Sequence, residues 1–189
     1  MAFFIFWVSL AYTLGNPWEV IRVKMTNSFG KIHKTYALIG GGTGLFMAVF
    51  VAATVGNPLP ILRLLGADLF LPPLWLAGLL WLAGYALSGA AAGWALACSA
   101  GGPSRETAVW RGLTFLVAEV TFSFAWYRLL FGSFLLLPAW LCLAAGVAAG
   151  VVCFLSWISV HPLPAWLCGG VTAWLFCLLL CHVAVILHN

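Results

Sequence analysis

The sequence predicts an all-α polytopic membrane protein. Of its 189 residues, 65% are hydrophobic and only 6% are charged, whereas a soluble domain carries about 25% charged residues. The apolar residues run continuously and do not alternate, which argues against a β-barrel. The net charge of +4 comes from scattered Lys and Arg, so no nucleic-acid partner is expected. The lipid bilayer is the partner that this composition requires.

Five apolar stretches are long enough to cross the hydrocarbon, which takes about 20 residues in a helix. The third stretch is charged only at Glu119 and Arg128. An acidic side chain at membrane depth is rare and marks a candidate functional position. The five predicted spans are residues 36–56, 74–98, 112–130, 134–158 and 163–187.

Residues 1–35 are predicted to form an extension before a five-helix domain at 36–189. Residues 1–14 are apolar but short for a span, and no basic segment precedes them as in a signal peptide. We expect an uncleaved interfacial helix, or a half-span docked on a partner. Residues 15–35 hold half of the basic side chains, which suits a headgroup surface. The positive-inside rule then places the N-terminus on the more negative side.

No catalytic or metal site is predicted. The six cysteines lie in or beside apolar spans, where free thiols behave as small hydrophobic groups. Cys177, Cys181 and His182 share a helical spacing, but three ligands on one helix without a second cluster do not indicate a metal. A phosphate-binding glycine loop and a nucleophile elbow are both missing from the sequence. We therefore expect a protein that is not an enzyme.

Small residues recur four positions apart within the predicted spans. Such pairs allow membrane helices to approach closely. We expect these positions to be helix contacts, and they are Gly40 with Gly44, Gly84 with Ser88, Gly89 with Gly93, and Gly146 with Gly150.

The second span carries a recognisable segment. Residues 72–89 read PPLWLAGLLWLAGYALSG, which resembles the pattern PPxWxxGPVWxxLYxxMG of the TspO/MBR family, the translocator proteins and tryptophan-rich sensory proteins. The likeness extends through the later spans in the family's order and spacing. The matching positions are Glu119, Ser123, Trp126, Phe131-Gly132, Trp157, Val160, Pro162-Leu163, Ala165, Ala173-Trp174 and Asn189.

The resemblance implies a five-helix bundle, often dimeric, that binds tetrapyrroles or other flat apolar ligands in a cavity closed by the loop between the first two spans. Aromatic walls stack on conjugated rings, and a few polar groups orient the ligand. A porphyrin or other tetrapyrrole is the cofactor or ligand that the family match implies. The ligand-binding residues predicted from it are Trp81, Tyr85, Glu119, Ser123, Trp126, Trp157 and His161.

The chain also departs from the family pattern. Leu79 replaces the motif proline, and Glu119 and Ser123 stand for the usual Gln and Asn. The C-terminal tail CHVAVILHN lacks the Tyr and the basic residue of the family's sterol-recognition stretch, so sterol binding is not expected.

Two functions therefore stay open. The first is binding or transport of an apolar planar ligand. The alternative is a structural accessory subunit of a larger membrane complex, for example a respiratory one, that has reused the TspO fold. A porphyrin-degrading activity is a third, more distant reading. We expect a mitochondrial membrane, with a bacterial or plastid membrane as the alternative.

Overall fold

The computed structural model describes residues 29–55, 74–99 and 102–188, and the described residues form helices and short connections without a strand. Each of the five helices is long and apolar enough to cross a membrane. The predicted all-α class and the five spans are confirmed, and five such helices are consistent with an integral membrane protein. The helices are α1 (Phe29–Val55), α2 (Leu74–Cys98), α3 (Pro103–Ser133), α4 (Leu136–Ile158) and α5 (Pro162–His188).

Two helices begin earlier than the apolar stretches predict. Helix α3 starts at Pro103 rather than near 112, because Pro fits the first helical position and Glu106 in the first turn favours the helix N-terminus. Glu106 therefore lies in a helix, although its position falls between the predicted spans 74–98 and 112–130. Helix α1 starts at Phe29, inside the predicted extension. The expectations for residues 1–14 and for the loop between the first two spans lie outside the described residues.

Short connections make consecutive helices antiparallel. Phe134 adopts a left-handed conformation, with φ of 55°, and the Leu135 N–H donates to the carbonyl of Leu129 at 3.0 Å. A left-handed residue of this kind ends many helices, and here it ends α3. At the next turn the N–H groups of Val160 and His161 both donate to the carbonyl of Trp157, at 2.9 and 3.0 Å. Because both turns are short, α3, α4 and α5 pack as neighbours in chain order.

The order in which the helices pack side by side differs from their order along the chain. Helix α1 packs mainly on α2, α2 packs on α5, α5 on α4, and α4 on α3, while α3 also contacts α2 and α1. One apolar core cluster surrounds the fully buried Trp157. A second surrounds Leu143 and Trp126 near the α3–α4 turn. Helices α2, α3 and α5 therefore meet inside the bundle, although they are distant in sequence.

Four glycines bring α1 and α2 into backbone contact. A Cβ added at Gly40 would collide with the carbonyl oxygen of Gly89, and one added at Gly89 would collide with that of Gly40. Gly44 and Gly93 stand in the same relation to the carbonyls of Tyr85 and Tyr36. Two of the predicted small-residue pairs thus face each other, as close helix packing in membranes requires.

Candidate functional site

The inner face of α3 carries the polar groups of the candidate site. Glu119, Ser123 and Trp126 are all buried, with exposures of 1%, 5% and 7%. Their spacing puts them on one helix face, as the sequence predicts. The Ser123 hydroxyl donates to the backbone carbonyl of Glu119 at 2.8 Å, so this serine bonds within its own helix. Glu119 is the group that reaches neighbouring helices.

The Glu119 carboxyl contacts two neutral side chains of α5. Its Oε1 atom lies 2.9 Å from the Thr172 hydroxyl, and its Oε2 atom lies 3.7 Å from the Cys168 thiol. Both partners are themselves buried. The carboxyl therefore joins α3 to α5 near the middle of α3, and neither partner is a cation.

A glycine of α4 makes room for this contact. A Cβ built on Gly150 would meet the Thr172 hydroxyl and the carboxyl of Glu119 closer than real Cβ atoms approach. Any larger residue at position 150 would have to displace the polar contact between α3 and α5. The structure thus gives Gly150 a specific role in the carboxyl site.

A small cavity lies beside Glu119 where α2, α3 and α5 meet. Its volume is about 30 Å³, which is close to the space that one water molecule occupies in the liquid. Four of the predicted ligand-binding residues line it. The lining residues are Leu80, Trp81, Gly84, Tyr85, Ser88, Glu119, Val120, Ser123, Val171, Trp174 and Leu175.

Two polar groups of the cavity lining have no hydrogen-bond partner among the described residues. They are the hydroxyl of Tyr85 and the indole N–H of Trp174, and both atoms are buried. Tyr85 as a whole is only 8% exposed. A buried polar atom without a partner is uncommon in folded proteins and costs free energy. Two residues that line the cavity, Tyr85 and Trp174, therefore carry unused hydrogen-bonding capacity.

Aromatic rings form the outer side of the cavity. The ring of Trp81 contacts that of Tyr85 edge-on, with centroids 4.9 Å apart. It also stacks on Tyr127 of α3 at 5.3 Å, with an interplanar angle of 24°. Trp81 and Tyr127 are both half-buried.

The structure places the other three predicted ligand-binding residues away from this cavity. Trp126 donates its indole N–H to Nδ1 of His182 at 3.1 Å, within the bundle. Trp157 donates to the carbonyl of Val109 at 3.3 Å and belongs to the first core cluster.

His161 precedes α5, and its Nδ1 accepts the N–H of Leu163 at 3.1 Å, which satisfies one of the free amides at the helix start. Its ring also lies near Trp94, with centroids 5.8 Å apart. His161 therefore makes local contacts at the start of α5. Thr172 lies further along the same helix.

Three residues that contact Glu119 or line the cavity are not among the ligand-binding residues predicted from the sequence. They are Ser88, Thr172 and Trp174. Thr172 and Trp174 lie on α5, and the helical period of a single span does not reveal which other helix it contacts. The sequence does carry a signal for Ser88. Its small-residue pair with Gly84 indicates that this face of α2 is a packing surface.

A second, larger hollow lies on the outside of the bundle between α4 and α5. Its volume is about 450 Å³, and we call it the α4–α5 trough. Its lining includes Thr172, whose hydroxyl is already bonded to Glu119, and the indole of Trp166. The lining residues are Val147, Val151, Phe154, Trp166, Gly169, Gly170, Thr172, Ala173 and Phe176.

Comparison with protein-family models, with curated proteins and with solved structures finds no match for this chain. Membership of the TspO/MBR family therefore remains a prediction from the residues quoted above. Among the described residues, no group of three or more His, Cys, Asp or Glu side chains is placed to hold a metal ion.

Proposed function

We propose that this protein binds a small, flat, apolar ligand of the tetrapyrrole type inside the membrane, at the cavity between α2, α3 and α5. The observation that carries the proposal is the pair of unpartnered polar groups, Tyr85 and Trp174, in a cavity lined mainly by apolar and aromatic residues. Ligand pockets typically combine apolar and aromatic walls with a few polar groups that fix orientation. The cavity has this composition, and the TspO/MBR resemblance points to the same kind of ligand.

Binding requires the cavity to widen. Pockets for drug-sized ligands measure about 300–1,000 Å³, whereas this cavity measures about 30 Å³. We propose that the Trp81 ring separates from Tyr127 and that the ligand takes the place of one ring in the stack. An aromatic ligand would then regain the stacking that the two side chains lose.

A titration with protoporphyrin IX in mild detergent tests the proposal. The parent should bind with saturable, micromolar affinity, followed by porphyrin absorbance so that loss of a tryptophan does not disturb the signal. Trp81→Leu should weaken binding by about tenfold, because a stacking surface is lost. Trp166→Leu is the matched control, since Trp166 is 66% exposed on the outer face of α5, and it should bind like the parent.

The small volume of the cavity supports the second candidate, a structural accessory subunit of a larger membrane complex. A bundle that never opens has no room for a tetrapyrrole. Purification in mild detergent separates the two functions. Migration as a monomer or homodimer with a porphyrin absorbance band supports ligand binding, whereas co-migration with a large respiratory or photosynthetic assembly supports the accessory role.

A further inference from the structure

The unused hydrogen-bonding groups of the cavity include two donors. An indole N–H donates and cannot accept, so the Trp174 group is satisfied only by an acceptor. The Tyr85 hydroxyl donates or accepts. Neither atom has a partner among the described residues. A ligand that offers an acceptor would satisfy Trp174, whereas a ligand that offers only a donor would leave it unpaired.

Two other polar residues of the cavity lining, Glu119 and Ser123, are already engaged. The two carboxyl oxygens of Glu119 contact Thr172 and Cys168, and Ser123 donates to a backbone carbonyl of its own helix. Glu119 therefore organises the wall between α3 and α5, while Tyr85 and Trp174 keep their hydrogen-bonding capacity for a ligand.

We infer that the cavity selects planar aromatic ligands that carry a hydrogen-bond acceptor, such as a carbonyl oxygen, and discriminates against the same ring system without it. This inference rests on the proposed function and adds the chemistry of the ligand to it. A site built to hydrogen-bond a substrate group rejects the analogue that lacks this group, because buried polar atoms are then left unpaired.

A pair of probes with the same shape tests the inference. 9-Fluorenone and fluorene share a flat three-ring skeleton, and only the first carries a carbonyl. The full chain in mild detergent should bind fluorenone about tenfold more tightly than fluorene, equivalent to about 1.4 kcal/mol. The double variant Tyr85→Phe with Trp174→Phe keeps an aromatic ring at both positions and removes both donors. It should lose the preference and keep its affinity for fluorene.

Trp166→Phe is the matched control, because Trp166 lines the α4–α5 trough, where an apolar probe could also bind. It should keep the fluorenone preference. The single variants Tyr85→Phe and Trp174→Phe provide the same test with less change to the bundle, and each should reduce the preference.

The possible failures are distinguishable. Equal affinity of the parent for both probes overturns the inference and leaves the proposed function standing. A preference that persists in the double variant overturns it as well, since the carbonyl is then recognised elsewhere. Saturable binding of neither probe, together with no porphyrin binding, overturns the proposed function itself.

Discussion

The Thr172 hydroxyl oxygen lies 2.9 Å from Oε1 of Glu119 and 3.1 Å from the backbone carbonyl of Cys168. A hydroxyl has one proton and donates to one of these acceptors at a time. A protonated Glu119 resolves the conflict, because it donates to Thr172 while Thr172 donates to Cys168. A charge at the bilayer centre costs about 2.5–3.5 kcal/mol even on the lenient insertion scale. Both considerations favour a neutral carboxyl.

Glu119→Gln should therefore insert, fold and bind ligand at least as well as the parent. The Gln amide donates to Thr172 and its carbonyl accepts from Cys168, so the same contacts are made without a charge. Thermal unfolding in mild detergent, followed by circular dichroism, measures the stability of both proteins. A large loss of stability in the Gln variant would mean that the carboxylate is ionised and that our proton assignment is wrong.

Gly150→Ala should destabilise the bundle by about 1–3 kcal/mol, the usual range for overpacking a tight core. The new methyl group would press on Thr172 and Glu119. Gly170→Ala is the matched control, because a Cβ at Gly170 meets nothing within 4 Å. It should be neutral or slightly stabilising. Equal unfolding temperatures for the two variants would argue against the close contact at Gly150.

Gly40→Ala should weaken the packing of α1 on α2, again by about 1–3 kcal/mol. Its methyl group would meet the carbonyl of Gly89, which is backbone and cannot rotate away. Gly42→Ala on the same helix finds nothing within 4 Å and should leave stability unchanged. An equally large drop in unfolding temperature for Gly42→Ala and Gly40→Ala would contradict the close backbone contact of α1 and α2 at Gly40.

Much of the fold follows from the sequence, because the length of an uncharged apolar stretch determines whether it can span. The helical spacing also placed Glu119 and Ser123 on the buried face of α3. It did not reveal that Thr172 would meet Glu119, since that contact depends on how α5 packs across α3. For the same reason the sequence does not reveal that the ring of Trp157, a predicted ligand-binding residue, packs in the core beside Gly112.

Trp157→Leu should separate stability from binding. Trp157 is fully buried, so the smaller side chain should lower stability by about 2–3 kcal/mol through loss of buried surface and the space left behind. Affinity for protoporphyrin IX, measured at a temperature where the variant is folded, should stay within about twofold of the parent, because Trp157 does not line the cavity. A selective loss of binding at unchanged stability would return Trp157 to the ligand site.

The most direct test of ligand binding at the α2–α3–α5 cavity is a protoporphyrin IX titration of a variant in which the cavity is filled. Val120 lines the cavity and Val151 lines the α4–α5 trough, so Val120→Phe and Val151→Phe make the same chemical change at two different places. We predict saturable binding by the parent, parent-like binding by Val151→Phe, and binding at least about tenfold weaker by Val120→Phe, since the added ring occupies the space that the ligand needs. Unchanged affinity in Val120→Phe, with binding lost in Val151→Phe, would contradict the account and place the ligand in the trough.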